Sequence, residues 1–235
     1  MTLFTKLKSV LNAASEAPVV VLALYGSFSP ITNAHLNMFN LARNCLAERG
    51  LDPVAGIISP VHDGYGKPSL IPGPLRCELC ELAVEDVDKD DFFIVDPWEV
   101  NQDGFTRTLQ ALRHHLAALK EELATDNVRL IMLAGSDLFL SMANSKGWRV
   151  EDVETILAEF GVVVIHRGPE FDLNNLICSH PILSPHQANI FIASDGISGD
   201  ISSTLVRSRI QSGDSITDLV PPSVAKRIYT DNLYK

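Results

Sequence analysis

Residues 19–24 form an unbroken apolar, β-branched run, and the decapeptide Gly26-Ser27-Phe28-Ser29-Pro30-Ile31-Thr32-Asn33-Ala34-His35 follows it almost at once. A run with no polar alternation suits a strand covered on both faces, as in a parallel sheet. From Leu36 to Leu46 the apolar residues switch to helical spacing, so a sharp turn must lie between strand and helix. Gly26 lets the backbone approach a ligand closely and Pro30 blocks an early helix. Thr32 or Asn33 can cap a helix whose first amides point at an anion. His35 then falls on the first helical turn, where it can donate to a phosphate oxygen. The segment has no Gly-Lys-Ser/Thr ending, no three-glycine dinucleotide fingerprint and no Gly-x-Ser-x-Gly frame around Ser27, so it is neither a Walker loop nor a nucleophile elbow.

Strand-like runs recur at residues 53–59, 92–95, 128–133, 162–165 and 189–193, with helical patterns between most of them. The clearest helix is read over residues 104–124, where Phe105, Leu109, Leu112, Leu116, Leu119 and Leu123 recur at spacings of three and four and mark a core-facing stripe. On that reading His114 and His115 are exposed or partly packed and do not make a metal pair. The alternation predicts an α/β fold with a Rossmann-like, doubly wound, mostly parallel sheet and helices on both faces. Ligands in such folds bind beyond the carboxyl ends of the strands. Polar or glycine punctuation stands there four times, at Gly26 to His35, at Ser59, at Asp96 to Glu99 and at Gly135-Ser136-Asp137. Residues 64–74 read as a Gly/Pro-rich loop suited to act as a mobile lid.

With 235 residues, 46% of them hydrophobic, the chain suits one large domain spanning 1–235, with residues 1–17 as an N-terminal extension and 200–235 as a C-terminal helical part. No apolar run approaches the ~20 residues that cross a bilayer, and the first residues lack an apolar signal core, so no membrane partner is expected. The cytosol is the expected compartment, with the nucleus as the alternative. A formal net charge of −10 argues against a nucleic-acid partner while leaving room for a small anionic substrate held by a few convergent cations. Cys77 and Cys80 form a Cys-x-x-Cys inside a helix predicted over residues 75–87, with no second pair, and read as buried thiols.

A second phosphate site is legible near the C-terminus in Asp200-Ile201-Ser202-Ser203-Thr204-Leu205-Val206-Arg207. Ser202 is a good N-cap and Gly213 a good stop. Thr204 and Arg207, three apart, share a helix face and can present hydroxyl, amide and guanidinium donors to one polyphosphate.

Together, the turn from Thr32 to His35 and the helix start from Ser202 to Arg207 resemble the signatures of the nucleotidylyltransferase superfamily. Several ordered stretches narrow the resemblance: 26–36, Gly-Ile-Ile-Ser-Pro-Val at 56–61, Leu-Ile-Pro at 70–72, Leu-Arg-His-His at 112–115 and Asp-Ile-Ser-Ser-Thr at 200–204. The chain resembles, from Val19 to Tyr234, the eukaryotic-type nicotinamide/nicotinate mononucleotide adenylyltransferases. The resemblance implies adenylyl transfer from ATP to either mononucleotide, giving NAD or deamido-NAD and pyrophosphate. Magnesium would be carried by the substrate phosphates and not by protein side chains, and either monomers or homo-oligomers fit the resemblance.

For the residues, it implies that Gly26, Ser27 and Phe28 line the junction of the two substrates and that His35 holds ATP phosphates, with Thr32 in the same turn. Gly135 and Asp137 match a Gly-x-Asp that contacts the bound nucleotide. Ser202, Thr204 and Arg207 would complete the triphosphate cradle, with His35 and Arg207 as the catalytic pair. Lys67 aligns with a lysine that meets the mononucleotide phosphate, Thr108 with a residue near the carboxamide and Trp148 with a tryptophan stacked on the pyridine ring. Arg167 is a basic position in the same cleft. Three positions depart from the pattern: Phe105 stands for a second tryptophan, Gly147 for a leucine before Trp148, and Gly199 for an asparagine before Asp200. The competing readings are another nucleotidylyltransferase, such as a pantetheine-phosphate adenylyltransferase or a cytidylyltransferase, and a non-catalytic, chaperone-like nucleotide-binding protein.

Overall fold

The computed structural model describes residues 7, 17–166, 172–194 and 201–235. Every strand-like run becomes a strand: β1 Val19–Gly26, β2 Pro53–Pro60, β3 Phe93–Val95, β4 Val128–Gly135, β5 Val162–His166 and β6 Ile190–Ser194. Their order, β3-β2-β1-β4-β5-β6, is the doubly wound arrangement that the alternation predicts. The paired strands run parallel, with Val19 beside Val128, Val162 beside Met132 and Ile190, and Gly56 beside Phe93. β1 and β4 are buried along almost their whole length, as strands covered on both faces must be.

The described residues gather into two compact units, each assembled from separate stretches of chain. The first takes residues up to Leu24, 38–54 and 108–199. Within it, α3 (Thr108–Leu123) is followed by α4 (Ser136–Ala143), α5 (Val150–Thr155) and α6 (Leu173–Ser179), labels that leave α1 and α2 for earlier segments. Its core is built from Val20 to Leu24, Leu130 to Ala134 and Val162 to Ile165, with Leu112, Leu119 and Phe139 also buried. The second unit takes residues 25–37, 55–107 and 200–235. It holds most of the first turn of α1 (Asn33–Ala47), then α2 (Gly73–Val87), α7 (Ser203–Ser212) and α8 (Pro222–Thr230). There, Arg227 on α8 pairs with Glu78 on α2 at 3.1 Å, and the Ser223 amide and hydroxyl both donate to Asp86 at 2.7 Å.

Two readings of α3 need correction. The helix starts at Thr108 and not at residue 104, which leaves Phe105 outside the stripe and 48% exposed. Thr106 donates to the side chain of Glu99, seven residues earlier, at 3.3 Å, a tie that draws the stretch before Thr108 away from the helix. The buried face is also rotated from the leucine stripe. It runs through Leu109, Ala111, Leu112, His115, Leu119 and Leu123, so His115 is fully buried and Leu116 only half so.

Cys77 and Cys80 are buried free thiols on α2. Burial pushes both up, Cys77 to about 11, which disfavours the thiolate form that a metal would need. Among the described residues no helix is long and apolar enough to cross a membrane.

Gly161 enters β5 with φ +81 and ψ 172, a region nearly reserved for glycine, and a Cβ there would lie 2.8 Å from the Asn189 carbonyl oxygen. Gly161→Ala is therefore expected to cost roughly 1–3 kcal/mol through backbone strain, toward the upper end because of the clash. Urea unfolding of the variant against wild type measures this.

Candidate active site

In the second unit the two motifs meet on one turn. Arg207 Nη1 donates to the Ser29 carbonyl at 2.8 Å, across 178 positions of sequence, and Ser203 Oγ donates to the Pro30 carbonyl at 2.8 Å. The Ser29-Pro30 bond is cis, and Phe28 beside it is buried with φ +40. The Asn33 amide completes the seam by donating to Leu219 O at 2.9 Å.

His35 stands on the first turn of α1, half-buried, with its ring edge-on to Phe28 at 5.3 Å between centroids. Its Nδ1 accepts from the Thr32 amide at 3.0 Å and lies 2.8 Å from the Thr32 hydroxyl. An Nδ1 that accepts an amide proton fixes the neutral tautomer with its proton on Nε2, the form that can donate onward. Thr32 is fully buried, with its hydroxyl turned to the ring of His35. Gly26 and Ser27 are half-buried at the end of β1.

Ser202 caps α7 by accepting from the Leu205 amide at 3.2 Å, and Gly213 ends the helix with φ +79. Thr204 is exposed on the first turn and accepts from Arg207 Nη2 at 3.1 Å, so the guanidinium is held from two sides in a half-buried position. Lys67 is exposed on the stretch between β2 and α2, and Phe105 lies against Tyr65 at 5.7 Å between ring centroids.

In the first unit, Gly135 is the N-cap of α4 and Asp137 lies exposed in its first turn. Thr108 opens α3. Trp148 is half-buried, and its indole N–H donates to Ser141 Oγ at 3.0 Å. Gly147 before it has φ +81, a value that glycine adopts freely and a leucine would strain to hold. Arg167, Gly199 and Asp200 lie outside the described residues.

A buried polar cluster in the second unit was only half legible. The sequence marks Asp96 and Glu99 as strand-end punctuation, but nothing in it marks their depth. Glu99 is almost fully buried and accepts from Ser59 Oγ at 2.7 Å and from Thr106 Oγ1 at 3.3 Å. Burial raises its pKa to about 7, against the pull of those two hydrogen bonds, and neighbouring Asp96 adds to the rise. Tyr25, at the end of β1, is raised as well, by burial first and then by Glu99 and Asp96. Arg76 and Asp63 were missed altogether, since neither stands in a motif.

A Thr-x-x-His turn and a Ser-x-Thr-x-x-Arg helix start joined at one turn are the two signatures by which the sequence resembles the nucleotidylyltransferases, and they stand here on a doubly wound parallel sheet. Residues 23–209 match the cytidylyltransferase-like family model. Among curated proteins, the chain is 35% identical to nicotinamide/nicotinic acid mononucleotide adenylyltransferase of Arabidopsis thaliana, over 92% of this chain and 90% of that one. It is 38% identical to the protein of the same name from Oryza sativa, over 92% and 86%. It is 37% identical to nicotinamide/nicotinic acid mononucleotide adenylyltransferase 2 of Saccharomyces cerevisiae, covering 97% of this chain but 59% of that longer relative. The chain belongs to the nicotinamide/nicotinic acid mononucleotide adenylyltransferases of the cytidylyltransferase-like family. Its fold is also that of a Plasmodium falciparum nicotinic acid mononucleotide adenylyltransferase complexed with NaAD, with a TM-score of 0.67 at 18% identity over 92% of this chain and 97% of that one.

The raised Glu99 acid has a stability consequence of definite sign. Its folded pKa of about 7 exceeds the ordinary 4.5, so the folded state binds the extra proton between those values. The cost of ionising it is absent below 4.5, grows across the window and is complete above 7. Over that window wild type is expected to lose on the order of 3 kcal/mol that Glu99→Gln retains. Urea titrations of both proteins at pH 4.5 and 8 measure the difference.

Proposed function

We propose that the chain joins ATP to nicotinamide or nicotinate mononucleotide, with His35 and Arg207 acting on the ATP phosphates. The observation that carries the residue assignment is the pair of hydrogen bonds from Arg207 and Ser203 to the Ser29-Pro30 turn, which sets two cation- and hydroxyl-bearing motifs at one place. A mononucleotide phosphate oxygen attacks the α-phosphorus in line. The new P–O bond forms as the bond to the bridging oxygen between the α- and β-phosphorus breaks, and pyrophosphate leaves. No protein nucleophile is needed, because positioning and charge stabilisation carry phosphoryl-group chemistry.

The Nε2 proton of His35, fixed by the Thr32 amide on Nδ1, donates to a phosphate oxygen. Arg207, held by Ser29 O and Thr204, faces the charge that develops toward the β-phosphate. Ser202 and Thr204 supply hydroxyls at the start of α7, where the first amides favour an anion. Gly26, Ser27 and Phe28 line the junction of the substrates, and Gly135 and Asp137 take the nucleotide. Lys67 meets the incoming phosphate, Thr108 and Phe105 are assigned to the mononucleotide, and Trp148, preceded by Gly147, is assigned to its pyridine. Arg167 is assigned to the same cleft.

Among the described residues no group of three or more His, Cys, Asp or Glu side chains is placed to hold a metal ion. The side chains around the turn are cations and hydroxyls, which suit oxyanions, so magnesium is assigned to the substrate phosphates, where it would offset charge on the departing pyrophosphate.

Purified protein with ATP, magnesium and each mononucleotide in turn is expected to yield the dinucleotide and pyrophosphate. Acceptance of phosphopantetheine or release from CTP instead would replace this reading with another transferase, and no turnover with any acceptor would favour a binding protein. His35→Ala is expected to lower kcat/KM by roughly 100-fold or more, the scale of losing a preorganised donor. Near-normal turnover would remove His35 from the mechanism. Trp148→Ala is expected to raise KM for the mononucleotide while leaving KM for ATP nearly unchanged, as measured by initial rates with each substrate varied.

A further inference from the structure

Arg76, a second-unit guanidinium that the mechanism leaves out, is fully buried on α2, and its donors reach four acceptors. Nε donates to Ile71 O at 2.9 Å and Nη1 to Ser27 O at 3.0 Å. Nη2 donates to Val61 O at 2.6 Å and to Asp63 Oδ1 at 2.7 Å. Asp63 closes the ring with its other oxygen, which accepts from the Gly73 amide at 3.1 Å. Burial opposes its charge, yet the bonds from Arg76 and Gly73 outweigh that and hold the carboxyl below its ordinary value. A second tie runs parallel: Ser29 Oγ donates to Ser69 O at 2.8 Å and accepts from the Ile71 amide at 3.4 Å. The stretch 61–73 is thus joined to the turn that follows β1 directly at Ser69 and Ile71, and through Arg76 at Val61, Asp63 and Ile71, while Asp63 and Gly73 tie its two ends together. Lys67 lies inside it with its own side chain exposed. The backbone of this stretch therefore decides where its charge stands. The loop read as a mobile lid over residues 64–74 carries ties at Ser69, Ile71 and Gly73.

We propose that Arg76 and Asp63 are positioning residues that set the Lys67 loop in fixed register with the Ser27 turn, and so align the incoming mononucleotide phosphate with the ATP turn. This rests on the reading of Lys67 as the contact for that phosphate. A guanidinium serves where an ammonium cannot, because only a rigid planar fork reaches three carbonyls and a carboxylate at once, on both the loop and the turn.

Arg76 variants risk unfolding, so the test uses Asp63, whose side chain is 52% exposed. Asp63→Asn keeps the shape but cannot accept from both Arg76 and Gly73 as a carboxylate does. It is expected to raise KM for the mononucleotide roughly tenfold, the scale of a small misplacement of a reacting group, with KM for ATP within about twofold and Asp63→Ala going further in the same direction. In a Lys67→Ala background the same substitution is expected to add little, because the two act through one contact. Fully additive losses, or an unchanged mononucleotide KM, overturn the proposal. Amide hydrogen exchange across residues 64–71 is expected to speed up in Asp63→Asn, and equal rates also overturn it. That readout needs no turnover, so a wild type that forms no dinucleotide would defeat the functional reading while exchange still judges the clamp.

Discussion

The bond from Arg207 to the Ser29 carbonyl organises the part of the chain where the chemistry is assigned. A backbone oxygen in a turn must find a donor once water is excluded, and here it finds a cation from the far end of the sequence. The same guanidinium is braced by Thr204, so the interaction fixes a charge as well as satisfying a carbonyl. Ser203 repeats the arrangement on the next carbonyl. The contacts that fasten α7 to the turn are thus the ones on which the assigned chemistry rests.

A second economy appears in how charge is distributed. The chain carries a net −10, yet the residues assigned to phosphates are an imidazole, a guanidinium, an ammonium and hydroxyls. Two carboxylates of the second unit are restrained: Asp63 is satisfied by Arg76 and the Gly73 amide, and Glu99 is buried and reluctant to ionise. Each device lowers the negative field that an incoming polyphosphate would meet. Glu99 also ties Ser59, at the end of β2, to Thr106, at the entry to α3, so a stability cost at neutral pH goes with a fixed path for the chain between them.

All six strands were readable from the sequence, to within two residues at each end, because buried parallel strands are written as local apolar runs and nothing else in the chain resembles them. The caps at Ser202 and Gly213 were readable for the same reason, since each depends on a single residue type at one place. The start of α3 was not. Phe105 falls in the helical register of Leu109 and Leu112, and only the long-range bond between Thr106 and Glu99 takes it out. His115 was misplaced because a leucine stripe marks the neighbourhood of a buried face without fixing its centre, and small Ala111 let the helix roll. Arg76 and Asp63 were invisible because their partners are mostly backbone carbonyls and amides, which leave no trace in residue identity. The Thr-x-x-His and Ser-x-Thr-x-x-Arg spacings could be read in the sequence, whereas the turn that joins them could be seen only in three dimensions.

The indole of Trp148 has already given its N–H to Ser141. A ring so engaged offers an aromatic ligand its π face and little else, and a π face registers flatness and area more than the identity of a substituent. An acceptor bearing a neutral amide and one bearing an acid would present the same plate to that surface. Breadth toward both would then follow from a donor committed inside the protein, before any ligand arrives.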